Sequence, residues 1–330
     1  MGHGEYVLSV GPKLDKKLDF KIAGGMRLGP STLIGAWLAQ GLRKHLARGS
    51  TFTMQSGGED PLTLIAGGKA DLCYSTTHSA TAALTAKQGK DSYAKIRAVC
   101  ALPKRDWYQF AVSSSLNVYS IEEIIEKKIP IRLAVPSGST PSGINKLQHF
   151  VLSGYGINPA DIEKWGGRLI RGESTRPHEH VGRALRKEAD AVFEDGIATR
   201  HWWELFAARD MTILPIREDI LVKARAELGY KSTIIPSGWF YGKVPDRDIP
   251  TVDSSGFVVL VNEDMDEDVG YLLAKCAVEY KAEIEAEFNI LPVERSSLTY
   301  PLMPGDMAKD TGGIPLHKGA EKYFREKNYI

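Results

Sequence analysis

Three segments of this 330-residue chain combine glycine with hydroxyl side chains, and each lies between an apolar run and a helical pattern. They span residues 24–31, 56–58 and 137–140. A helix N-terminus presents unpaired backbone N–H groups and the positive end of the helix dipole, so it attracts anions. If several of these segments point at one place, they form a binding site for a carboxylate.

Arg27 adds a planar guanidinium to the first segment, where it can pair bidentately with a carboxylate. Its position alone favours a solvent-facing arginine equally. Residues 137–140 offer hydroxyl groups and backbone donors, but the lysine that follows glycine in a nucleotide-binding P-loop is missing. The sequence therefore disfavours an NTPase.

Four further residues could contact a ligand. His78 stands at a predicted helix start, where a neutral imidazole can donate to a carboxylate, although ordinary turn chemistry is as common. Glu194 and Asp195 follow a predicted strand and could receive an ammonium or hydroxyl group; solvated loop carboxylates are the alternative. Trp239 lies in a segment rich in glycine and proline and is a candidate for stacking on a ligand.

A cluster of basic residues in the middle of the chain resembles a metal or phosphate site by composition. It consists of Arg168, Arg171, Arg176, His178 and His180. The two histidines are two positions apart and do not share a helical face, and beyond Glu179 no carboxylate has suitable spacing. We predict that this cluster is a solvated surface.

Composition limits the classes of function. Lys plus Arg total 42 and Asp plus Glu total 41, so the overall charge does not favour nucleic acid or an anionic membrane surface. No apolar stretch reaches the roughly 20 residues of a membrane helix. Residues 1–19 lack the apolar run of an export signal, which leaves open a cytoplasmic protein or a signal already removed.

The three cysteines, Cys73, Cys100 and Cys276, lie far apart in apolar runs. This pattern predicts buried free thiols rather than a disulfide or a metal site. We expect neither a metal nor a cofactor.

The elements that position these residues belong to the α/β class, because apolar β-rich runs alternate with helical patterns. The length favours two domains. Helix starts are predicted at Asp60-Pro61 and after the Ser120/Glu123 capping box. Residues 235–253, rich in Gly, Pro and Trp without a sustained period, predict a connection between lobes.

Several motifs together make the chain similar to one family. They are Gly24-Gly25 before a Leu-x-Gly-Ala helix, Ser56-Gly57-Gly58, Ala70-Asp71-Leu72, and residues 136–140, 235–239 and 313–323. From about Lys21 to its end the chain resembles the TAXI family of solute-binding proteins, which serve tripartite ATP-independent periplasmic (TRAP) transporters. The resemblance implies a two-lobed type II periplasmic-binding-protein fold, each lobe a mostly parallel sheet flanked by helices, with a ligand cleft between the lobes.

The chain also departs from that family. Pro30-Ser31 stands where the family commonly carries two tyrosines, and Arg27 replaces a usual glycine. Thr76-Thr77-His78 stands where a Gln-Ser-Asp-like segment is frequent. We therefore expect a ligand that differs from the glutamate-like acids associated with some members.

The resemblance also implies the domain boundaries. Lobe one combines residues 1–108 with 238–330, lobe two spans 109–237, and the interlobe crossings lie near 105–112 and 235–255. The implied protein is a periplasmic monomer that captures a small organic acid or amino-acid-like ligand by lobe closure and delivers it to the membrane permease subunits of a transporter. It binds no nucleic acid and catalyses no reaction.

The expected ligand-binding residues come from both lobes. They are Gly25, Met26, Arg27, Ser31, Ser56, Gly57, Gly58, Glu59, Thr77, His78, Ser137, Ser139, Thr140, Glu194, Asp195 and Trp239.

Two other functions stay open at this point. One is a non-metal enzyme on the same fold, such as an aromatic-acid decarboxylase, for which His78 with Glu194 or Asp195 is the plausible acid–base set. The other is a cytoplasmic ligand sensor, which the missing export signal permits.

Overall fold

The protein divides into two compact units. Unit 1 comprises Met1–Pro103, Gly256–Phe288 and Pro301–Ile330, and unit 2 comprises Lys104–Ser255 and Asn289–Tyr300. The structure, a computed structural model, describes residues 14, 17–24, 30–56, 60–86, 91–102, 104–138, 140–141, 143, 145–172, 177–283, 295 and 303–330.

Unit 1 is built on a mixed five-stranded sheet. Its elements, in chain order, are β1 (Asp19–Gly24), α1 (Pro30–Arg43), β2 (Thr51–Ser56), α2 (Pro61–Ala66), β3 (Leu72–Thr76), α3 (Thr77–Ala86), α4 (Asp91–Ala94) and β4 (Ile96–Leu102), then β12 (Phe257–Asn262), α11 (Glu267–Glu279), α12 (Pro304–Lys309) and α13 (Lys318–Glu326). The strand order is β2-β1-β3-β12-β4. β1 pairs parallel with β2 and β3, whereas β12 runs antiparallel to both of its neighbours.

Unit 2 contains a second mixed five-stranded sheet and a two-stranded ribbon. Its elements are β5 (Gln109–Ser113), a 3-10 turn (Ser114–Leu116), α5 (Ile121–Glu126), β6 (Arg132–Val135), α6 (Lys146–Gly154), α7 (Pro159–Lys164), β7 (Arg168–Arg171), α8 (Pro177–Leu185), β8 (Ala191–Glu194), α9 (Arg200–Ala208), β9 (Met211–Leu214), α10 (Glu218–Leu228), β10 (Lys231–Ile235) and β11 (Ile249–Asp253). The sheet order is β7-β6-β8-β5-β9, and β5 is antiparallel to β8 and β9. The predicted α/β fold class is confirmed.

The two sheets have the same topology. In each, three parallel strands are followed by one antiparallel strand and a fifth strand at the far edge. The antiparallel strand has a different position along the chain in each unit. It is the last strand of unit 1, β12, and the first strand of unit 2, β5. The sequence shows no repeat of fixed period, so this repetition is visible only in the strand pairing.

Local capping residues begin two helices, α2 and α5, as predicted. The Asp60 side chain accepts a hydrogen bond from the Thr63 N–H at 3.2 Å, with Pro61 in the first turn. Ser120 accepts from the Glu123 N–H at 3.3 Å. These side chains satisfy backbone donors that a helix start leaves unpaired, so the sequence alone fixes both starts.

Unit 2 is larger than predicted lobe two, because it includes residues 104–108, 238–255 and 289–300. The segment predicted as an interlobe connection, residues 235–253, belongs to unit 2 and ends in β11, which pairs antiparallel with β10. The chain passes from unit 2 to unit 1 directly after it, at Ser255–Gly256. Trp239 and Phe240, between the two strands, and Ile249, the first residue of β11, are buried in the core of unit 2. The sequence pattern did not predict this ribbon, because two short strands separated by a long loop give no sustained alternation of apolar and polar residues.

Candidate ligand-binding site

The carboxyl ends of the parallel strands of unit 1 lie at one edge of its sheet. Gly24 ends β1 opposite Ser56, which ends β2, and Thr76 ends β3. In open α/β sheets, ligands bind outside these carboxyl ends, where the strand order reverses. In unit 1 the order reverses between β1 and β3. The predicted segments 24–31 and 56–58, together with Thr77 and His78, therefore follow the strands at this edge.

Several of the predicted ligand-binding residues lie outside the described residues. In unit 1 they are Gly25, Met26, Arg27, Gly57, Gly58 and Glu59, and in unit 2 the residue is Ser139. Ser31 lies in α1 and Ser56 ends β2, but their side chains are not described. The role of Arg27 stays a prediction.

Thr77 and His78 begin α3 directly after β3. The Thr77 N–H donates to the Gly256 carbonyl at 3.0 Å, while the Thr77 Oγ1 is buried without a partner in the described part of the chain. The His78 Nε2 lies 3.1 Å from the Ser79 Oγ and 3.4 Å from the Thr76 Oγ1. Thr77 thus has a buried hydroxyl without a partner among the described residues, and the His78 Nε2 has neighbours at the end of β3 and the start of α3.

The equivalent edge of unit 2 carries Ser137, two residues after β6, Gly172 after β7, and Glu194 and Asp195 at the end of β8. β6 is parallel to both β7 and β8, so these residues lie together at the carboxyl ends. The strand order of unit 2 reverses between β6 and β8, which places Ser137 and Glu194 at the position where α/β sheets bind ligands.

The loop after β6 is closed by its own hydrogen bonds. The Ser137 Oγ donates to the Gly172 carbonyl, and the Gly138 N–H donates to the Gly143 carbonyl at 3.2 Å. The Gly143 N–H donates to the Thr140 carbonyl at 2.8 Å. The Ser137 hydroxyl therefore links this loop to the residue after β7. Whether Thr140 contacts a ligand stays a prediction.

His180 contacts Glu194 in the interior of unit 2. Both side chains are buried, with 0% and 2% exposure, and the His180 Nδ1 lies 2.6 Å from the Glu194 Oε2. Gly172 permits this position, since a Cβ there would stand 2.0 Å from the His180 Nε2. The prediction of a solvated basic surface is wrong for His180, because α8 turns this residue toward the sheet.

Arg168 and Arg171 of the same cluster are exposed at the two ends of β7. Their strand was missed because only its two central residues, Leu169 and Ile170, are apolar and buried. Arg176 and the His178 side chain lie outside the described residues.

Burial shifts the pKa values of the His180–Glu194 pair in opposite directions. Desolvation raises the pKa of Glu194 to about 8, and it lowers the pKa of His180 to about 4. At neutral pH the pair therefore holds one proton, on the carboxyl group, and both side chains are uncharged. Neither the His180 nitrogens nor the Glu194 Oε2 has a partner with good hydrogen-bond angles among the described residues, so the 2.6 Å approach is a contact rather than a well-formed bond.

Asp195 extends this acidic group to the surface. It is partly exposed, and its side chain lies within hydrogen-bonding reach of the Glu194 carboxyl. Burial, followed by the neighbouring Asp106 and Glu194 carboxyls, raises the pKa of Asp195. Asp106 is itself buried and ion-paired, with its Oδ2 2.8 Å from the Lys104 Nζ and its Oδ1 accepting from the Gly196 N–H at 2.7 Å.

Gln109 lies beside Glu194 and was not predicted from the sequence as a candidate ligand-binding residue. It is the first residue of β5 and stands opposite Glu194 in the antiparallel pair. Its side chain has 0% exposure, and neither Nε2 nor Oε1 has a hydrogen-bond partner among the described residues. Only the burial of a glutamine at a strand start could have indicated it, and that requires the strand pairing to be known.

Trp239 lies within a cluster of aromatic rings and guanidinium groups. Its ring centroid is 5.2 Å from that of Trp107, and the Arg105 Cζ lies 5.1 Å from the Trp239 ring. The Arg295 Cζ is 5.7 Å from the same ring, and its Nη1 donates to the Trp239 carbonyl. These cation–π contacts hold Trp239 in the core of unit 2, and its stacking on a ligand stays a prediction.

Metal-ligating side chains and cysteines were predicted to form no site. Among the described residues, no group of three or more His, Cys, Asp or Glu side chains is arranged to hold a metal ion. Cys73, Cys100 and Cys276 are free and buried, as predicted, and burial raises the pKa of each thiol. Within the described ranges, no helix has the length and apolar character needed to cross a bilayer.

Comparison with known proteins gives one family and several structural neighbours. The model of the NMT1-like family matches residues 32–327. No curated protein matches the chain. A structure described as a periplasmic transporter is 13% identical, covers 94% of this chain and 97% of its own, and has a TM-score of 0.49.

Two further neighbours carry bound ligands. XAC2383 from Xanthomonas citri bound to ATP is 13% identical over 94% of this chain and 99% of its own, with a TM-score of 0.48. PhnD1 from Prochlorococcus marinus in complex with methylphosphonate is 12% identical over 94% and 99%, with a TM-score of 0.43. At these identities and scores no ligand transfers to this chain.

Proposed function

We propose that this chain, which belongs to the NMT1-like family, is an extracytoplasmic solute-binding receptor of a membrane transporter. It captures a small organic ligand and releases it unchanged. Its ligand is an organic acid or an amino-acid-like molecule, and its partners are the permease subunits of a TRAP-type transporter. The finer assignment to a TRAP system rests on the sequence resemblance to the TAXI family.

One observation carries this proposal. In each unit the strand order reverses once between parallel strands, between β1 and β3 in unit 1 and between β6 and β8 in unit 2. Polar or glycine-containing segments predicted to bind ligand follow both pairs of strands. Because open α/β sheets bind ligands at these positions, the repeated arrangement supports a ligand receptor.

Thermal denaturation tests the proposal. The protein is melted with equal concentrations of dicarboxylic acids, amino acids and aromatic acids, and with sodium chloride at matched ionic strength as the control. A ligand that binds only the folded state adds about 2.7 kcal/mol of stability at one hundred times its Kd, so we expect one chemical class to raise Tm by several degrees. If none of these compounds raises Tm above the salt control, the receptor proposal is wrong.

An enzyme is the second candidate, and the His180–Glu194 pair favours it. Buried acid–base pairs with strongly shifted pKa values concentrate at active sites. Mass spectrometry of each stabilising compound after prolonged incubation separates the two functions. We expect the compound to be recovered unchanged, whereas a product of decarboxylation or hydrolysis would establish the enzyme.

A further inference from the structure

Gln109 points to hydrogen-bonding capacity in unit 2 that the described residues do not fill. A buried amide side chain without partners has lost its hydrogen bonds to water and gained none in exchange, which is unfavourable. Neither polar atom of Gln109 has a partner in the described part of the chain. Residues directly opposite each other in an antiparallel pair project to the same face of the sheet, so the Gln109 side chain lies beside that of Glu194.

The groups around Gln109 are acidic. Besides burial, Asp106 and Glu194 both lie close enough to raise the pKa of Asp195, and Lys104 lowers it. Lys104 is ion-paired with Asp106 at 2.8 Å, so it offsets the charge of Asp106 directly.

Other charged groups face this cluster from the neighbouring elements. From α8, Glu179 raises and Arg183 lowers the pKa of His180, although burial is the larger effect. The phenol groups of Tyr108 and Tyr230 are buried near the same carboxyl groups, and burial raises the pKa of each. The described surroundings of Glu194 therefore include a further carboxyl group, that of Glu179, which adds to burial in raising the pKa of Glu194.

We propose that Gln109, Glu194 and Asp195 form a subsite for a primary ammonium group of the ligand. The inference rests on the proposed function and specifies the ligand as one that carries an amine. The partly exposed Asp195 is the point of access, with Glu194 and Gln109 behind it. An ammonium group has three donors and no acceptor, which suits two carboxyl groups and the Gln109 Oε1.

The proton balance follows from this arrangement. Without ligand, a proton resides on the Glu194–Asp195 pair. When R-NH3+ binds as a cation, that proton leaves to solvent and the two carboxylates share the positive charge of the ligand. One proton is therefore released for each ligand bound, and the affinity for an amine increases as the pH rises toward 8. A carboxylate or phosphate at this position would instead face like charges, which disfavours it.

Isothermal titration calorimetry with matched pairs of compounds tests the subsite. L-glutamate, L-leucine and L-phenylalanine are each compared with the corresponding 2-hydroxy acid, and ethanolamine serves as an amine without a carboxylate. We expect an amino acid to bind at least ten-fold tighter than its 2-hydroxy acid, with release of about one proton measured in two buffers of different ionisation enthalpy.

The outcomes separate the subsite from the receptor function. If 2-hydroxy acids bind as tightly as amino acids, the subsite is wrong and the receptor stands. If ethanolamine alone binds, with proton release, the subsite is supported and the carboxylate part of the proposed ligand is wrong. If no amine binds but another organic acid raises Tm, the subsite is overturned. If nothing tested binds, both proposals fail.

Substitutions locate the binding to these residues. Asp195→Asn and Glu194→Gln keep the shape of the protonated carboxyls, so the variants should fold, which circular dichroism and Tm will verify. We expect each to weaken amino-acid binding at least ten-fold and to abolish proton release. Asp210→Asn is the matched control, because Asp210 is exposed and precedes β9 at the opposite end of the strands. Unchanged affinity and proton release in both Asp195→Asn and Glu194→Gln would overturn the subsite.

Discussion

Among the described residues, each unit buries one histidine against the backbone of a glycine, His317 against Gly270 and His180 against Gly172. The two histidines differ in their hydrogen bonds. In unit 1 the His317 Nε2 donates to the Met265 carbonyl at 3.1 Å, and its Nδ1 accepts from the Gly319 N–H at 3.3 Å, which caps α13. In unit 2, His180 contacts Glu194 without a well-aligned hydrogen bond. A fully bonded polar group is typical of structure, whereas an incompletely bonded one marks a site that a ligand or proton can change.

The two sheets also differ in the side chains at the carboxyl ends of their strands. Their strand orders are equivalent, yet the carboxyl edge of unit 1 carries glycine and hydroxyl residues, and that of unit 2 carries buried carboxyl groups. The topology therefore determines where a site can form, and the side chains at the strand ends determine its chemistry.

The strongest test of the packing in unit 1 is Gly319→Ala. A Cβ at this position would lie 1.9 Å from the Glu267 carbonyl oxygen and 2.6 Å from the Tyr271 N, so α11 and α13 would have to separate. Overpacking costs about 1–3 kcal/mol and occasionally more, and we expect about 3 kcal/mol because both neighbours are backbone atoms. The urea midpoint measures the loss.

Gly182→Ala in α8 is the control for this substitution. Its Cβ would meet only the end of the Arg186 side chain, at 3.1 Å. Alanine favours a helix over glycine by roughly 0.5–1 kcal/mol, so the control should be as stable as the wild type or more. Equal urea midpoints for the two variants would show that α11 and α13 are not in backbone contact.

The pH dependence of stability tests the unusual pair of unit 2. Ordinary pKa values are 4.5 for Glu194 and 6.5 for His180 in the unfolded chain, against about 8 and about 4 in the folded protein. Between pH 4.5 and 6.5 both states bind one proton on this pair, which leaves the free energy of unfolding unchanged. From pH 6.5 to 8 the folded protein keeps a proton that the unfolded chain loses, so stability falls by about 1.4 kcal/mol per pH unit, about 2 kcal/mol in total.

Glu194→Gln isolates this effect. Without the carboxyl group, the pair contributes no fall between pH 6.5 and 8. His180 alone then lowers stability as the pH drops from 6.5 toward 4, because the unfolded chain binds a proton that the folded protein does not. Urea denaturation across pH 4–8.5 compares the variant with the wild type. Parallel profiles would mean that Glu194 is already ionised at neutral pH.

The smallest effect is expected for Thr77→Val in unit 1. The buried Thr77 Oγ1 has no partner among the residues described, so its removal should stabilise the ligand-free protein by up to about 1 kcal/mol. Thr81→Val is the control, since the Thr81 Oγ1 donates to the Gly312 carbonyl at 3.1 Å, and it should lose stability instead. Tm shifts of the same sign would contradict the comparison, and a weaker ligand affinity in Thr77→Val alone would identify its hydroxyl as a ligand contact.

Part of the fold follows directly from local sequence signals. The alternation of apolar runs with helical patterns predicts the α/β class, and Asp60 and Ser120 predict helix starts that the structure confirms. The C-terminal motif at residues 313–323 has a structural explanation, because His317 caps α13 and Gly319 permits its close contact with α11. β7 and the β10–β11 ribbon were not predicted, because their few buried residues give no sustained alternation of apolar and polar residues.

The sequence by itself determined the fold class, the buried free cysteines and the helix starts at Asp60 and Ser120, because each depends on residues close together in the chain. Only the tertiary structure placed His180 and Gln109 beside Glu194. Their burial results from the pairing of β5 with β8 and from the packing of α8 over Gly172. The resulting desolvation acts on groups that are distant in sequence, so no local pattern records the shifted pKa values of this site.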